Sequence, residues 1–373
     1  MIGVGSIIRA TRYLCYSYPY INEDHLSDGK FKNLKIGLIT DYLTTVNLSY
    51  ECRVRCITPS NYKEVITEWC PDIIFIESVF HGYNWSWSYK LVKHSKLYGR
   101  NDLRQLLMVM KLAKDLHIPT VFWNKDDGAF FEEFADVAVK CDYIYTTDEN
   151  CVEKYRVYES SIGEDVNVAV NNRHVSVMPI AYQPRIHYFK GFNFTKNKLC
   201  FVGSYYRKIL NSRKLFLDTI FDVCDEKSLN VDIYDRNSTR ISRFMEFKFP
   251  SRSCITVFPK LSYENTANAY RDYNVCLNVN SVTDSATMYS RRLIEILGCG
   301  GIMVTNTSPA VEKTFKDYCT VIRNRDEAME ILPAMMSAPS KENMEKAEAG
   351  SRYVSRNHSW EKRLEQLAVD IGF

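Results

Sequence analysis

The chain has 373 residues, of which 46% are hydrophobic and 25% are charged, and its formal net charge is +3. This composition is typical of a soluble globular protein, and the length favours two domains over a single hydrophobic core. The small net charge argues against nucleic acid as a partner. No apolar run approaches the roughly 18 residues of a membrane-spanning helix. We therefore expect a cytoplasmic protein, with a peripheral contact at the inner face of the membrane left open.

The 12 cysteines are scattered and include no C-x-x-C pair. This spacing gives no support to zinc ribbons or to thioredoxin-type chemistry. Several cysteines lie in apolar, strand-like runs, where a thiol behaves as a small hydrophobic group. We expect free thiols in a reducing compartment, and no metal site.

Predicted strands and helices alternate along the chain after a short helix or arm that extends to about Lys32. In the first half, strands are predicted at LKIGLIT, CRVRCITP, PDIIFIES, IPTVFWN, DYIYTTD and HVSVMPIAY. The pattern restarts with strands at KLCFVGS, NVDIYD, CITVFP, VCLNVNSV, GIMVTN and CTVIRN. Such alternation is typical of parallel sheets with crossover helices. The predicted fold class is α/β, with two Rossmann-like doubly wound domains over residues 1–190 and 191–355, and the expected ligand site is the cleft that they face.

The most informative stretch is DSATMYSRRLIEILGCGG, which begins at Asp284. At 100° per residue its aliphatic side chains share one helix face, and Arg291, Arg292 and Glu295 share the other. Asp284 or Ser285 would cap the start of this helix. Two arginines beside a helix N-terminus favour phosphate binding, because the helix dipole and the free N–H groups add to their charge. An ordinary amphipathic helix with an Arg291–Glu295 ion pair is the alternative.

A second candidate segment is GSYYRKILNSRK, a loop between a strand and a helix. It carries Gly203, Ser204, Arg207, Arg213 and Lys214. A glycine after a strand lets backbone amides approach a phosphate, and the cations add charge. A solvated basic loop is the alternative for this segment.

Asn278 and Asn280 lie at a strand end and point to the same face of the strand. Buried amide groups need hydrogen-bond partners. The two asparagines therefore either contact a ligand or brace a loop, and the sequence does not decide between these roles.

In the first half, Glu77, His81, Asp126 and Asp127 follow predicted strands. They offer carboxylates and an imidazole for a general base or for a clamp on an acceptor. A role without catalysis is the alternative, and an isolated loop histidine is usually only hydrogen-bonded. The chain contains no D-x-D motif, which argues against binding of a nucleotide sugar through a divalent metal ion.

These residues resemble a known family. The segments FVGSYY, SRK, DIYDRN, LNVNSVTDSATMYSRRLIEILGCGG and NHSWEKRLEQL of the second half are similar to CgeB-like (spore-maturation-type) glycosyltransferases. In the first half, ESVFHGYNWSW, FWNKDDGAFFEEF and YIYTTDENCVEKY resemble the amino-terminal domain of the same enzymes. The resemblance extends over nearly the whole chain from about Leu34. It implies a GT-B fold, related to the retaining family 1/4-type glycosyltransferases.

The resemblance also implies an activity and a set of site residues. The expected activity is transfer of a sugar from an activated, phosphate-linked donor to a glycan or lipid-linked glycan, in bacterial surface polysaccharide synthesis. No cofactor besides the donor substrate is expected. Glu295 would bind the ribose hydroxyls, and Gly203 with Ser204 would lie beneath the phosphates. The diphosphate would be held without metal by cations of the second domain, namely Arg291 and Arg292 with Arg207 or Arg213 and Lys214. The helical tail, residues 356–373, would pack back on the first domain.

One position departs from the pattern of that family. Retaining GT-B enzymes often carry E-x7-E, but Thr287 occupies the place of the first glutamate. The contact of that glutamate with the donor sugar is then either absent or replaced by Ser285, Thr287 or Tyr289. If the enzyme inverts configuration instead, it needs a general base, for which Glu77, His81, Asp126 and Asp127 are the candidates. Further alternatives are a GT-B sugar-nucleotide epimerase, a transferase with a non-nucleotide sugar-phosphate donor, or a catalytically silent binding protein.

Overall fold

The computed structural model describes residues 29–92, 94–95, 99–100, 103–159, 174–240 and 246–373. Most of the predicted amino-terminal arm lies outside these residues. The described chain divides into two compact units. The first unit runs to Pro179 and also includes Arg363–Phe373, and the second unit is Ile180–Lys362. The division at Pro179 precedes the predicted domain boundary at residue 190.

The first unit contains a six-stranded parallel sheet in the order β2-β1-β3-β6-β7-β8, and a separate antiparallel pair, β4-β5. Its strands are β1 Lys35–Ile39, β2 Arg53–Cys56, β3 Ile73–Glu77, β4 His94–Ser95, β5 Gly99–Arg100, β6 Thr120–Asn124, β7 Tyr143–Thr146 and β8 His174–Val177. Its described helices are Tyr42–Ser49, Tyr62–Glu64 (continued by a π-helical turn, Val65–Trp69), Arg104–Asp115, Phe131–Ala138 and Val152–Val157.

The second unit contains another six-stranded parallel sheet, in the order β11-β10-β9-β12-β13-β14. Its strands are β9 Lys196–Gly203, β10 Val231–Asp235, β11 Ile255–Pro259, β12 Tyr273–Leu277, β13 Met303–Asn306 and β14 Thr320–Ile322. Its helices are Asn211–Glu226, Tyr263–Asp272, Arg291–Gly298, Arg325–Ser337 and Lys341–Asn357, with a π-helical turn at Val311–Phe315.

Burial explains why the central strands are rich in apolar residues. Every residue of β3, β6 and β12 is buried, because helices cover both faces of a parallel sheet. The two sheets with their crossover helices confirm the predicted α/β, doubly wound architecture.

The strand order places one switch point in each sheet. The chain reverses direction across the sheet between β1 and β3 in the first unit and between β9 and β12 in the second. Ligands of doubly wound sheets bind beyond the carboxyl ends of strands at such points. Asp41 and Glu77 lie there in the first unit, and Gly203 and Asn278 lie there in the second.

The final helix, Trp360–Ile371, runs into the part of the chain that belongs to the first unit. Arg363 donates from Nε to the carbonyl of Pro179 at 2.7 Å. The hydroxyl of Tyr145 donates to Asp370 at 2.8 Å. These bonds anchor the end of the tail on the first unit. None of the described helices has both the length and the apolarity required to cross a bilayer.

Candidate functional site

The helix Arg291–Gly298, which we call the arginine helix, begins later than predicted. Ser290 is its N-cap, and the Ser290 hydroxyl accepts from the backbone N–H of Leu293. Asp284 and Ser285 are not caps. The Ser285 hydroxyl instead accepts from the backbone N–H of Thr287 and of Met288, at 3.2 and 3.0 Å. This turn uses the polar side chain before the helix starts, so the arginines fall in the first helical turn.

The guanidinium of Arg292 lies at the carboxyl end of β9. Its Nε donates to the carbonyl of Val202 at 2.5 Å, and its Cζ lies 4.7 Å from the centroid of the Phe201 ring. A Cβ atom added at Gly203 would overlap Nη2 of Arg292 and would also press on Phe201. Glycine therefore leaves room for the guanidinium, and a larger residue at this position would make the Arg292 and Phe201 side chains shift.

Arg292 and Arg213 lie close enough for their charges to interact, and each has a buried N–H donor that no described residue accepts. Nη1 of Arg292 and Nε of Arg213 are buried and have no hydrogen-bond partner within the described residues. Burial, followed by the nearby charge of Arg292, lowers the pKa of Arg213 to about 9. Burial also lowers the pKa of Arg292. A buried pair of like charges is costly, and a bound anion would offset both the repulsion and the lost hydration.

Arg213 also connects two loops of the sheet edge. It is 6% exposed, and it donates to the carbonyls of Ser204 at 3.0 Å and of Val279 at 3.2 Å. These carbonyls follow β9 and β12, the two strands of the switch point. Arg213 therefore braces the site while it contributes positive charge.

Arg291 and Glu295 form the ion pair that the structural alternative predicted. Arg291 Nε lies 3.2 Å from Oε1 of Glu295, whose side chain is 6% exposed. Burial raises the pKa of Glu295, and the charges of Arg291 and Arg292 act against this shift. The role of Glu295 toward a ribose stays a prediction.

The structure gives Asn278 and Asn280 a bracing role. Asn278 Oδ1 accepts from the Ser290 hydroxyl at 2.5 Å, and Asn280 Oδ1 accepts from the Ser290 backbone N–H at 2.9 Å. The backbone N–H of Asn280 also donates to Asn306 at 2.7 Å. Both asparagines are fully buried. They hold the N-cap of the arginine helix against the ends of β12 and β13.

The other predicted phosphate-binding residues of this segment are exposed or bonded to neighbouring side chains. Arg207 is exposed. Lys214 pairs with Asp218 at 2.6 Å along its own helix. Ser204 accepts from Asn237 through its hydroxyl at 2.9 Å. Of the predicted glycine-loop residues, Gly203, Ser204 and Arg213 are thus the ones in contact with the switch point.

Arg236 was not predicted, although it contributes charge at the same edge. Its backbone N–H donates to the carbonyl of Gly203 at 3.0 Å, and its charge lowers the pKa of both Arg213 and Arg292. The DIYDRN segment contained a usable indication. Arg236 immediately follows β10, which pairs with β9 so that Asp235 lies opposite Gly203.

The three candidates for replacing the missing glutamate have structural partners. The Tyr289 hydroxyl donates to the carbonyl of Ile180 at 2.8 Å and lies 2.7 Å from Nδ1 of His358. Tyr289 is 3% exposed. The backbone of Thr287 and the hydroxyl of Ser285 belong to the turn before the arginine helix. None of these contacts involves the glycine loop, so the donor-sugar end of the site keeps no assigned residue.

A second polar cluster lies at the switch point of the first unit. Glu77 is fully buried and accepts from the Thr44 hydroxyl at 2.7 Å and from the Asp41 backbone N–H at 2.9 Å. Lys125 Nζ lies 2.5 Å from Glu77 and 2.6 Å from Asp41. Burial and the charge of Asp41 raise the pKa of Glu77 to about 7, although Lys125 opposes the shift. Asp41, which caps the helix Tyr42–Ser49, was missed, although its place directly after β1 could have suggested it.

The other predicted first-unit residues have separate partners. Asp126 accepts from the Ser78 hydroxyl at 3.0 Å. The centroid of the His81 ring lies 3.9 Å from that of the Trp85 ring and 4.9 Å from that of the Tyr89 ring. Within the described ranges, no group of three or more His, Cys, Asp or Glu side chains has an arrangement suited to a metal ion.

Asp127 is buried in a hydrogen-bonded pocket. Its Oδ1 accepts from Asn124 at 2.7 Å and from the Tyr155 hydroxyl at 3.0 Å. Burial raises its pKa to about 7, although hydrogen bonds from Thr146 and Tyr155 oppose the shift. Its contacts place Asp127 in the structural support of the β6 loop.

Asp127→Asn should make the stability of the protein less dependent on pH. A carboxyl whose pKa is raised on folding stabilises the protein fully below its unfolded pKa, and this contribution is lost as pH rises through about 7. We expect the variant to match the wild type near pH 4 and to gain on the order of 2–4 kcal/mol near pH 8. Urea unfolding at pH 4, 6 and 8 measures this. An equal free-energy difference at all three pH values would contradict the assignment.

Comparisons with known proteins agree with this architecture. Residues 245–368 match the family described as glycosyl transferase-like, and this range contains the arginine helix. HepE from Anabaena, solved in complex with UDP and glucose, superposes with a TM-score of 0.53 at 10% identity, covering 90% of this chain and 91% of that one. A glycosyltransferase from Rickettsia africae superposes with a TM-score of 0.51 at 11% identity, covering 92% of this chain and 100% of that one. Comparison with curated protein sequences gives no match.

The superpositions show the fold, which is that of GT-B glycosyltransferases. The family match covers residues 245–368, most of which lie in the second unit. The chain therefore combines a GT-B-type fold with a region that is similar to glycosyl transferases.

Proposed function

We propose that this protein transfers a sugar from a nucleotide-diphosphate donor to a glycan acceptor, with retention of configuration and without a metal ion. The donor would bind to the second unit and the acceptor to the first. HepE supports a UDP-type donor, because a chain of the same fold was solved with UDP and glucose. The resemblance to CgeB-like enzymes supports a role in bacterial surface polysaccharide synthesis at the inner face of the membrane.

The placement of Arg292 carries this proposal. As the bond to the donor sugar breaks, negative charge grows on the departing diphosphate. A guanidinium already fixed in place stabilises that charge without reorganisation. Arg292 is fixed by Val202 and Phe201, and it keeps an unused buried donor on Nη1. Arg213 and Arg236 add positive charge around the same point.

The first unit would supply the contacts to the acceptor. Asp41 and Lys125 are partly exposed, whereas Glu77 is fully enclosed beneath them. Partly exposed polar groups at a switch point are suited to binding sugar hydroxyls. Glu77, His81, Asp126 and Asp127 stay candidates for a base only if the reaction inverts configuration.

The test is a screen of nucleotide-diphosphate sugars with glycan acceptors. We expect at least one donor to raise the melting temperature and to release its nucleoside diphosphate only when an acceptor is present. NMR of the product would give its anomeric configuration. Conversion of the donor sugar without an acceptor would identify an epimerase instead. If no donor raises the melting temperature and none is consumed, the proposal is wrong.

Metal independence has its own test. Since arginines would supply the charge that a divalent ion supplies elsewhere, EDTA should leave the rate of transfer within about twofold of the untreated enzyme. The rate with and without added Mg²⁺ after chelation is the measurement. A large loss that Mg²⁺ restores would overturn this part of the proposal.

A further inference from the structure

A row of exposed cations continues from the arginine site along the edge of the second sheet. Arg236 directly follows β10, and Lys260 directly follows β11. Arg240 lies four residues after Arg236, on the turn that leaves β10, where its backbone N–H donates to the carbonyl of Asn237 at 2.9 Å. All three side chains are exposed. We call Arg236, Arg240 and Lys260 the cationic rim.

The backbone holds the rim together. The N–H of Lys260 donates to the Ser238 hydroxyl at 3.0 Å, which ties the end of β11 to the turn after β10. Desolvation by the surrounding atoms lowers the pKa of Lys260, and the charges of Arg240 and Arg236 add to this shift. Among the described residues, neither Arg236 nor Arg240 has a carboxylate as an ion-pair partner. The two arginines therefore keep their positive charge un-neutralised beside a third cation.

The rim extends further than one diphosphate can reach. Adjacent strands lie about 4.8 Å apart, so the end of β11 is roughly 10 Å from the end of β9, where Arg292 lies. The two phosphates of a diphosphate share a single bridging oxygen. The backbone of the outer part of the rim, at Arg240 and Lys260, therefore lies beyond a diphosphate bound at Arg292.

We propose that the cationic rim binds a second phosphate-bearing group, separate from the diphosphate at Arg292. Guanidinium groups bind phosphate through paired N–H donors, and a lysine adds a compact charge. This inference rests on the proposed function for the position of the first diphosphate. The second phosphate belongs either to the donor nucleotide or to a phosphorylated acceptor.

Two ligand pairs distinguish these sources in calorimetric titrations of the full chain. UDP is compared with uridine 3′-phosphate 5′-diphosphate for the donor, and glucose with glucose 6-phosphate for the acceptor. The glucose pair is titrated with and without UDP, so that the rim is tested even if UDP does not bind. We expect the phosphorylated member of one pair to bind at least about tenfold more tightly than its partner.

The matched variants are Arg240→Gln/Lys260→Gln and the control Lys227→Gln/Lys341→Gln, which removes two exposed charges elsewhere in the second unit. The preference should fall below about threefold in the rim variant and persist in the control. No preference in the wild-type protein, or a preference that survives in the rim variant, would overturn the inference. If UDP does not bind, the UDP-type donor of the proposed function fails; if UDP binds and neither phosphorylated probe is preferred, only the rim assignment fails.

Discussion

Arg292→Ala is expected to lower kcat/KM for sugar transfer about 100-fold or more, because it removes the fixed positive charge that would stabilise the departing diphosphate. Most of the loss should appear in kcat, since the charge on the diphosphate is largest in the transition state. The measurement is release of nucleoside diphosphate at varied donor concentration. Arg292→Lys keeps the positive charge but loses the planar guanidinium with its paired N–H donors. Its activity should therefore lie between that of Arg292→Ala and that of the wild type.

The control for this prediction is Arg325→Ala. Arg325 is a half-exposed arginine of the same unit and is paired with Glu226. Loss of an exposed pair changes little, so its activity should stay within about twofold of the wild type. Melting temperatures of all variants separate loss of catalysis from loss of folding. Activity of Arg292→Ala within about twofold of the wild type would remove Arg292 from the site.

Lys125→Met is expected to cause a large loss of stability in the first unit. Lys125 is 17% exposed and lies within ion-pair distance of both Glu77 and Asp41. Its removal leaves two adjacent carboxyl groups without a cation, which costs about 3–5 kcal/mol at neutral pH. Urea unfolding at pH 8 measures the loss.

The pH dependence of this loss has a definite sign. The pKa of Glu77 is already raised to about 7 with Lys125 present, and removal of the cation raises it further. Near pH 5 Glu77 is therefore neutral, and the penalty in Lys125→Met should shrink. Glu77→Gln in the same background should likewise restore part of the stability at pH 8. The control is Lys111→Met, since Lys111 is 73% exposed. A pH-independent loss would contradict the coupling of Lys125 to Glu77.

The fold was readily predicted from local pattern. A buried parallel strand must be apolar on both faces, so runs such as PDIIFIES are visible without any tertiary information. The restart of the pattern after about residue 190 likewise indicated a second sheet. What local pattern could not provide was the order of the strands, since the crossovers decide which strand ends become neighbours. The switch points therefore emerged only from the structure.

The site was predicted by residue type better than by role. The sequence grouped Arg292 with Gly203, and in the structure the guanidinium of Arg292 lies against the backbone of Gly203. It left Asn278 and Asn280 open between a ligand contact and a bracing role, and the structure shows both bonded to the helix N-cap. A buried asparagine satisfies the same hydrogen-bond demand in either role. Only the position of Ser290, which depends on where the helix begins, distinguishes the two roles.

Residues missed by the sequence share a common cause. Asp41 and Arg236 each follow a strand directly, but neither belongs to a recognisable motif. Each gains its role from a neighbour that is distant in the chain: Asp41 from Lys125, and Arg236 from the end of β9. Their importance depends on strand adjacency, which no single segment of sequence contains.

The absence of a side chain at residue 203 has a consequence for how related chains can differ. An alanine there would make the guanidinium above it and the Phe201 ring shift, so a change at Gly203 is accommodated best where residue 292 has become smaller. Substitutions at these two positions should therefore be strongly non-additive in a double-mutant cycle. Across homologues the two positions should vary as a pair, and an engineer who wishes to enlarge this pocket would have to change both together.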